Sequence, residues 1–515
     1  MKKMRMAIAL LGLSLPVMAQ AAEFQTPGAL GMGGAGVARN NGALTAYWNP
    51  AGGAFNETPF AMNAGVGIGA RGSNGLAENV DRMSDIKFDT VKNFNNGSGG
   101  AADAKTVGDM VKLVTIIDDI GKRGGNLALN GQVPVGFAIK HVSFGIFGNF
   151  EGYVQPKADI INILPTTSGT TTTTVADLYN AVAGQPTNNT NQFFTATQTS
   201  ALATSFFNAS PTTITLTQAT ELANAIGNQL QGSGIPAGTA LTSLQNTLIP
   251  AVSSTPGANP HTFNKNTTSA MTKALMYYEV PLAYGHPIDF GKYGKLGIGA
   301  TAKIISGTVY QNQVLLVNRP GGSSIDSNDL VKDISKNSKN SVNFGVDLGA
   351  LYKYDTWLSV GLVAKNLNSP KFDAPDYDAP AANSPTTTVK MHGEDVKLKP
   401  QLRSGVAVEP YSWLMIAADL DLTDNETLAP GTVVGSSVKS RNLGGGVEVH
   451  PYSWLRLRGG AYKNLANSDI GTVLTGGFTL FLLDVDGAFA TKSFKVGNTT
   501  LPQEAKLQIG LSFTF

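Results

Sequence analysis

The side chains that most often carry chemistry are scattered in this chain. Five histidines, His141, His261, His286, His392 and His450, show neither HxxxH nor HExxH spacing, so their pattern supports no metal site. There is no GxSxG and no cysteine, which leaves nucleophilic catalysis without a candidate and excludes disulfides and thiol chemistry. The polar residues that do form a pattern are two acidic pairs, Asp419/Asp421 and Asp484/Asp486, and three arginines, Arg403, Arg456 and Arg458. A spacing of two puts each pair on one side of a strand. Carboxylates beside arginines are more readily neutralised than tuned for proton transfer, which favours a structural network. Anion binding by the three arginines is the other reading. The chain is therefore expected not to be an enzyme and to hold no cofactor or metal.

Gly31, Gly33 and Gly36 match GxGxxG on paper. A dinucleotide site would need a buried strand before them, a helix after them and a later acidic partner. None is present, so the expectation is a compact loop in which glycines permit positive φ and close backbone approach.

The elements around these residues read as strands. In the closing stretch AKLQIGLSFTF, the apolar Ala505, Leu507, Ile509, Leu511, Phe513 and Phe515 alternate with Lys506, Gln508, Gly510, Ser512 and Thr514. A period of two means a strand with one oily and one wet face. Fourteen such segments can be counted, at about 60–70, 133–140, 142–153, 273–284, 295–305, 341–354 and 357–367, then 400–409, 413–422, 442–449, 455–462, 472–482, 484–493 and 505–515. Their charges, among them Lys140, Glu151, Glu279, Lys303, Asp347, Lys365, Arg403, Glu448 and Arg458, all fall on the polar parity. Many segments reach the roughly 9–11 residues of a tilted membrane strand. Links alternate between tight and long, and an even number of strands is what a closed bacterial barrel with both chain ends on one side requires. Trp357, Trp413 and Trp454 follow tight turns, and EPYSWL and HPYSWL repeat one another. These rings read as an interfacial girdle or, more plainly, as good turns with a packing aromatic.

Composition agrees with this architecture. The 515 residues carry a net charge of +2, only 14% are charged, and 59 are glycine. An ordinary soluble protein has about a quarter of its residues charged. A balance so near neutral gives no reason to expect nucleic acid as a partner. At the amino-terminus Lys2, Lys3 and Arg5 precede the apolar run Met6 to Leu15, and Ala19-Gln20-Ala21 supplies small residues. Residues 1–21 are thus expected to be a cleaved secretory signal. No later apolar run is long enough for a helical span.

The next stretch carries a family resemblance. LGMGGAGVA (Leu30 to Ala38) and YWNPAG (Tyr47 to Gly52) resemble the amino-terminal plug of the FadL-like outer-membrane superfamily. Asn49-Pro50-Ala51 matches the NPA tripeptide of its hatch, and Gly33 and Gly34 lie in the preceding loop. The phrases RGGAYKNLANSDIGTVLTGGF and LPQEAKLQIGLSFTF are similar in character to the TraF-like, plasmid-transfer branch. The resemblance implies an all-β, transmembrane antiparallel barrel of about 14 strands: signal 1–21, hatch 22–58, barrel 59–515. It further implies residence in the outer membrane among its lipids, insertion by the barrel-assembly machinery through the carboxy-terminal strand, and passive uptake of hydrophobic or amphiphilic small molecules past the hatch. The alternative is a TraF-like component of conjugation or secretion that acts as a docking or assembly surface. Two long links, about 71–132 and 154–272, are partly helical by spacing, as in Val107, Met110, Val111, Val114 and Ile117 and in Leu216 to Leu230. They are expected outside the cell, as a lid over the outer mouth or simply as surface loops.

Overall fold

The structure, a computed structural model, describes residues 26–39, 42–73, 75–83, 86, 101–163, 173–185, 193–252, 265–318, 336–430, 437–496 and 499–514. The expected signal at 1–21, His261 and Thr170 to Thr172 lie outside the described residues. Fourteen strands form one closed barrel: β1 (Ala61–Ser73), β2 (Asn126–Ile139), β3 (Val142–Lys157), β4 (Ser269–Asp289), β5 (Lys295–Leu315), β6 (Ser338–Tyr354) and β7 (Leu358–Lys365), followed by β8 (Gln401–Tyr411), β9 (Leu414–Asp421), β10 (Asn442–Tyr452), β11 (Leu455–Asn464), β12 (Thr472–Leu480), β13 (Leu483–Ala490) and β14 (Glu504–Thr514). Each strand pairs antiparallel with its neighbours in sequence. β1 closes on β14 from Ala61 opposite Thr514 to Arg71 opposite Glu504. All fourteen expected strands are present, and the ring leaves no free edge.

Closure fixes where side chains point. Ile304 is 62% exposed on the outside of β5, while Lys303 and Ile305 on either side are buried within. Val280, Leu282, Val342 and Phe344 likewise face outward, so the outer surface is apolar. Lys140 departs from the expected parity because it occupies the β2–β3 turn, exposed and with φ of 49°. At the tight-turn end the rings of Tyr411 and Trp413 stack at 5.5 Å, and those of Tyr452 and Trp454 at 5.3 Å. The two PYSW phrases therefore make the same turn twice.

At the other end β4 and β5 run for 21 residues each. At about 3.3 Å per residue they are roughly 70 Å long, far beyond what a tilted crossing needs, and they rise as a collar. Above it the long links fold into a helical body. Its helices include Ala101–Arg123, Val175–Val182, Ala196–Ala209 and Leu216–Leu230. Three of them start on capping boxes, Thr174 with Asp177, Thr195 with Gln198 and Thr215 with Gln218, in which side chain and backbone satisfy each other's amides. Val107, Met110, Val111, Val114, Leu222 and Phe206 share one apolar core, so these links are a packed unit rather than loose cover. Beyond Leu216–Leu230 the chain forms a helix at Ala237–Ser243, a wider turn at Leu244–Leu248 and a further helical turn at Ile249–Val252.

Asp159 anchors this body to β4. Its carboxylate accepts from the amides of Ile161, Asn162 and Thr267, from the Asn162 side chain at 2.8 Å and from the Thr267 hydroxyl. Burial alone raises the pKa of this group, but the bonds from Asn162, Thr267 and Ile161 outweigh it and hold the carboxyl below its ordinary 3.8. A depressed carboxylate stabilises the fold fully above the unfolded pKa, and that contribution is lost as pH falls through the folded one. Pepsin cleavage within 158–268 should accordingly accelerate as pH falls below about 3.8, and D159N should be cleaved faster throughout without that acid step.

Inside the wall, charges are neutralised in place. Lys303 on β5 lies 2.9 Å from both Glu279 on β4 and Asp347 on β6, all three buried. Removing one partner of such a cluster strands the others, at a cost of about 3–5 kcal/mol. K303M should lower resistance to urea by that order, whereas K303M/E279Q/D347N should recover much of the loss. Wild-type resistance in K303M would contradict this account.

Candidate functional site

Residues 26–39 and 42–56 lie inside the barrel and are buried along most of their length. They form short helical turns, Leu30–Met32, Gly42–Leu44, Thr45–Trp48 and Pro50–Phe55. Asn49 caps the last of these, its Oδ1 accepting from the Ala51 amide at 3.1 Å, and Pro50 supplies the fixed φ that suits a first helical position. The Asn49 Nδ2 donates to Val37 O within the segment and to Ala350 O on β6, both at 3.1 Å. Asn49-Pro50-Ala51 thus ties the segment to itself and to the wall. The wall makes room for it with glycine. A Cβ at Gly299 would stand 2.6 Å from the Pro50 carbonyl oxygen, and one at Gly297 would stand 2.6 Å from that of Ala51.

A second seat holds the loop before it. Gly33 has φ of 64° and Gly34 of 77°, a left-handed pair that glycine adopts without strain. The Gly33 amide donates to the Thr475 hydroxyl at 3.1 Å, and that hydroxyl donates to Gly31 O. Gly36 and Val37 both direct their amides at Asp419 Oδ2, at 2.8 and 3.0 Å. Of the GxGxxG glycines, Gly36 thus directs its amide at a carboxylate of the protein's own wall, while Gly31 and Gly33 meet a wall hydroxyl. Arg403 donates to Gly34 O at 2.8 Å and pairs with Asp419 and Asp421 at 3.3 and 3.4 Å. Its guanidinium lies 5.9 Å from the centre of the buried Trp48 ring, whose Nε1 donates to Pro27 O.

Arg458 faces Asp484 and Asp486, each at 3.1 Å, and Glu448 at 3.7 Å. Glu448 also meets Arg39 of the segment at 3.3 Å and His450 at 2.7 Å. Arg456 is exposed at the tight-turn end. The structure does not gather the three arginines into one anion site: Arg403 and Arg458 are buried against carboxylates, whereas Arg456 is exposed. The histidines are likewise separate, His141 on Gly53 O and His392 on Asp376, and no group of three metal-binding side chains occurs among the described residues. Sequence reasoning missed the role of Lys365, whose ammonium lies 3.6 Å from the centre of the Tyr47 ring, and the glycine seats on β4 to β6. The spaced glycines of those strands were the available signal.

Losing the Asn49 amide would leave two carbonyls and one amide without their partner, at about 1–2 kcal/mol. In N49A, amides of residues 45–56 should exchange with solvent roughly tenfold faster while strand amides keep their protection. Unchanged exchange would show that the tripeptide does not hold the segment.

Comparison with known proteins places this geometry in a family. The profile described as "F plasmid transfer operon, TraF, protein" matches residues 46–421, from the Trp48 turn through β9. The carboxy-terminal phrases that suggested the same branch lie outside the matched residues. No curated protein sequence matches the chain. Similar solved structures include the Ralstonia pickettii toluene transporter TbuX, at 12% identity, 95% of this chain and 98% of that one, with a TM-score of 0.43. The Pseudomonas putida toluene transporter TodX is 11% identical over 96% and 99%, with a TM-score of 0.41. A Pseudomonas aeruginosa FadL homologue is 12% identical over 97% and 99%, with a TM-score of 0.37. With its profile match spanning well over half the sequence, the chain belongs to the TraF family of the F plasmid transfer operon.

Proposed function

We propose that this protein is an outer-membrane channel through which hydrophobic small molecules pass inward without energy input, with residues 26–56 as its hatch. The observation that carries this reading is a segment lodged inside a closed wall by side-chain hydrogen bonds, ion pairs and apolar packing, without pairing as a strand. None of these contacts belongs to the strand ladder, so the segment can shift by local opening while the wall stays intact. The apolar exterior is a surface for lipid, where an inserted Arg or Lys costs roughly 2–4 kcal/mol at mid-bilayer. On this reading the signal at 1–21 is cleaved in transit, the barrel-assembly machinery acts on β14, tight turns face the periplasm and the helical body faces outward. The protein is not an enzyme. An oily solute is poorly served by a watery pore and gains from a shielded path, which leads past Asn49, Pro50 and Ala51 or sideways into lipid.

A second reading rests on the helical body, whose separate core makes it a stable platform for a docking or assembly role in conjugation or secretion. The two part on one experiment. In vesicles, protein lacking residues 22–58 should change the flux of a hydrophobic solute severalfold relative to the full chain. Unchanged flux, together with stoichiometric copurification of protein partners through 158–268, would favour docking over transport.

A further inference from the structure

Two tight turns of the wall are spelled almost alike. Glu409 to Met415 reads EPYSWLM between β8 and β9, and His450 to Arg456 reads HPYSWLR between β10 and β11. They also fold alike. Each ladder shifts register between a valine and the tyrosine, Val408 and Tyr411 in one and Val449 and Tyr452 in the other. Tyr411 then pairs with Leu414 as Tyr452 pairs with Leu455. The first residue of each phrase donates its amide to a tryptophan carbonyl of the preceding tight turn, Glu409 to Trp357 and His450 to Trp413. The shared residues thus suffice to make the turn. What they leave unexplained is the pair that differs, His450 in place of an acid and Arg456 in place of a methionine.

Both of these line one recess. Ser412, Trp413, His450, Tyr452, Ser453 and Arg456 bound a space of about 380 Å³ between the two turns. Its flanks are unlike. His450 and Arg456 follow the inward parity of Glu448 and Arg458 at the strand ends. Tyr452, opposite Leu455, shares the outward side of Leu457, and Trp413 is stacked on Tyr411, which faces outward with Leu414 and Ile416. The recess therefore straddles the rim of the barrel, with charge on one side and rings on the other. The Nε2 of His450 is held 2.7 Å from Glu448. Among the described residues no ion pair or side-chain hydrogen bond engages Arg456.

A guanidinium beside two hydroxyls is a set of donors suited to phosphate oxygens. Indole and phenol rings gather where lipid headgroups begin. A free ion would gain nothing from the rings, and an acyl chain nothing from Arg456. We propose that this recess binds the phosphodiester headgroup of a phospholipid, its phosphate on Arg456 and the hydroxyls of Ser412 and Ser453, its glycerol end against Trp413 and Tyr452. The proposal rests on the membrane placement of the preceding reading and is independent of uptake.

Delipidated full-length protein in detergent can be titrated with dihexanoylphosphatidylglycerol, with dihexanoylglycerol, which has the same chains and no phosphate, and with inorganic phosphate. Native mass spectrometry reads the bound species. R456M carries the methionine of the first turn, so it keeps a turn that this wall already folds. Wild type should bind the phospholipid roughly tenfold more tightly than R456M does, and roughly tenfold more tightly than it binds either control. W413A should weaken phospholipid binding severalfold. Equal binding by wild type and R456M would overturn the assignment. So would inorganic phosphate held as tightly as the phospholipid, which would mark a free-ion site, or dihexanoylglycerol held as tightly, which would mark a greasy surface. Should R456M fail to fold, R456Q takes its place. Trypsin digestion of the protein in vesicles tests the placement separately: cleavage within the wall strands would sink the membrane reading, whereas protected strands with no dependence on Arg456 would sink the headgroup site alone.

Discussion

A sheet that closes on itself gives each strand residue two directions, outward or inward, and no third. The remainder of this structure follows from that constraint. With the outer face apolar, the buried charges of the wall lie within and must find partners at fixed strand spacings, as Lys303 does between Glu279 and Asp347. Arg403 and Arg458 do the same with carboxylates that have neighbouring strands as their base. A buried ion pair is poor evidence of stability taken singly. Here it is the condition on which a polar interior can exist, and the segment 26–56 joins the same accounting through Arg39 and the amides of Gly36 and Val37.

The interior is therefore a stack of different materials rather than a tube. A glycine-lined seat, an ionic layer and an apolar layer succeed one another along a single strand, β5. The helical body above has its own core and its own capping signals, and it joins the barrel through a few polar contacts such as those of Asp159. Rigid wall, seated segment and separate crown differ in what holds them, and so in how readily each can move.

How much of this was legible depends on whether a pattern repeats. Alternation repeats, so every strand was found, although the ends of β4 and β5 were drawn short because the collar no longer alternates cleanly. The helices Ala101–Arg123 and Leu216–Leu230 were visible from apolar spacing, whereas Val175–Val182 is only eight residues long and Ala196–Ala209 is rich in threonine and serine, and their capping boxes were the overlooked sign. The pairing of Arg403 and Arg458 with acidic neighbours could be anticipated from strand parity. The exposure of Arg456 could not, since it turns on where the strand ends. The buried apolar cluster of Leu275, Ile305 and Val309 escaped notice because Ile305 follows Ile304, and a single break in alternation looks like noise until Phe372, Ala374, Val396 and Leu398, from a distant link, are seen to pack on it.

The enclosed segment also sets an order of events. Residues 26–56 are translated before any strand, yet their partners include Gly299, Asp419 and Thr475, which span the sequence almost to its end. The earliest of these residues to be made can thus complete their contacts only once the late hairpins that carry their partners are in place.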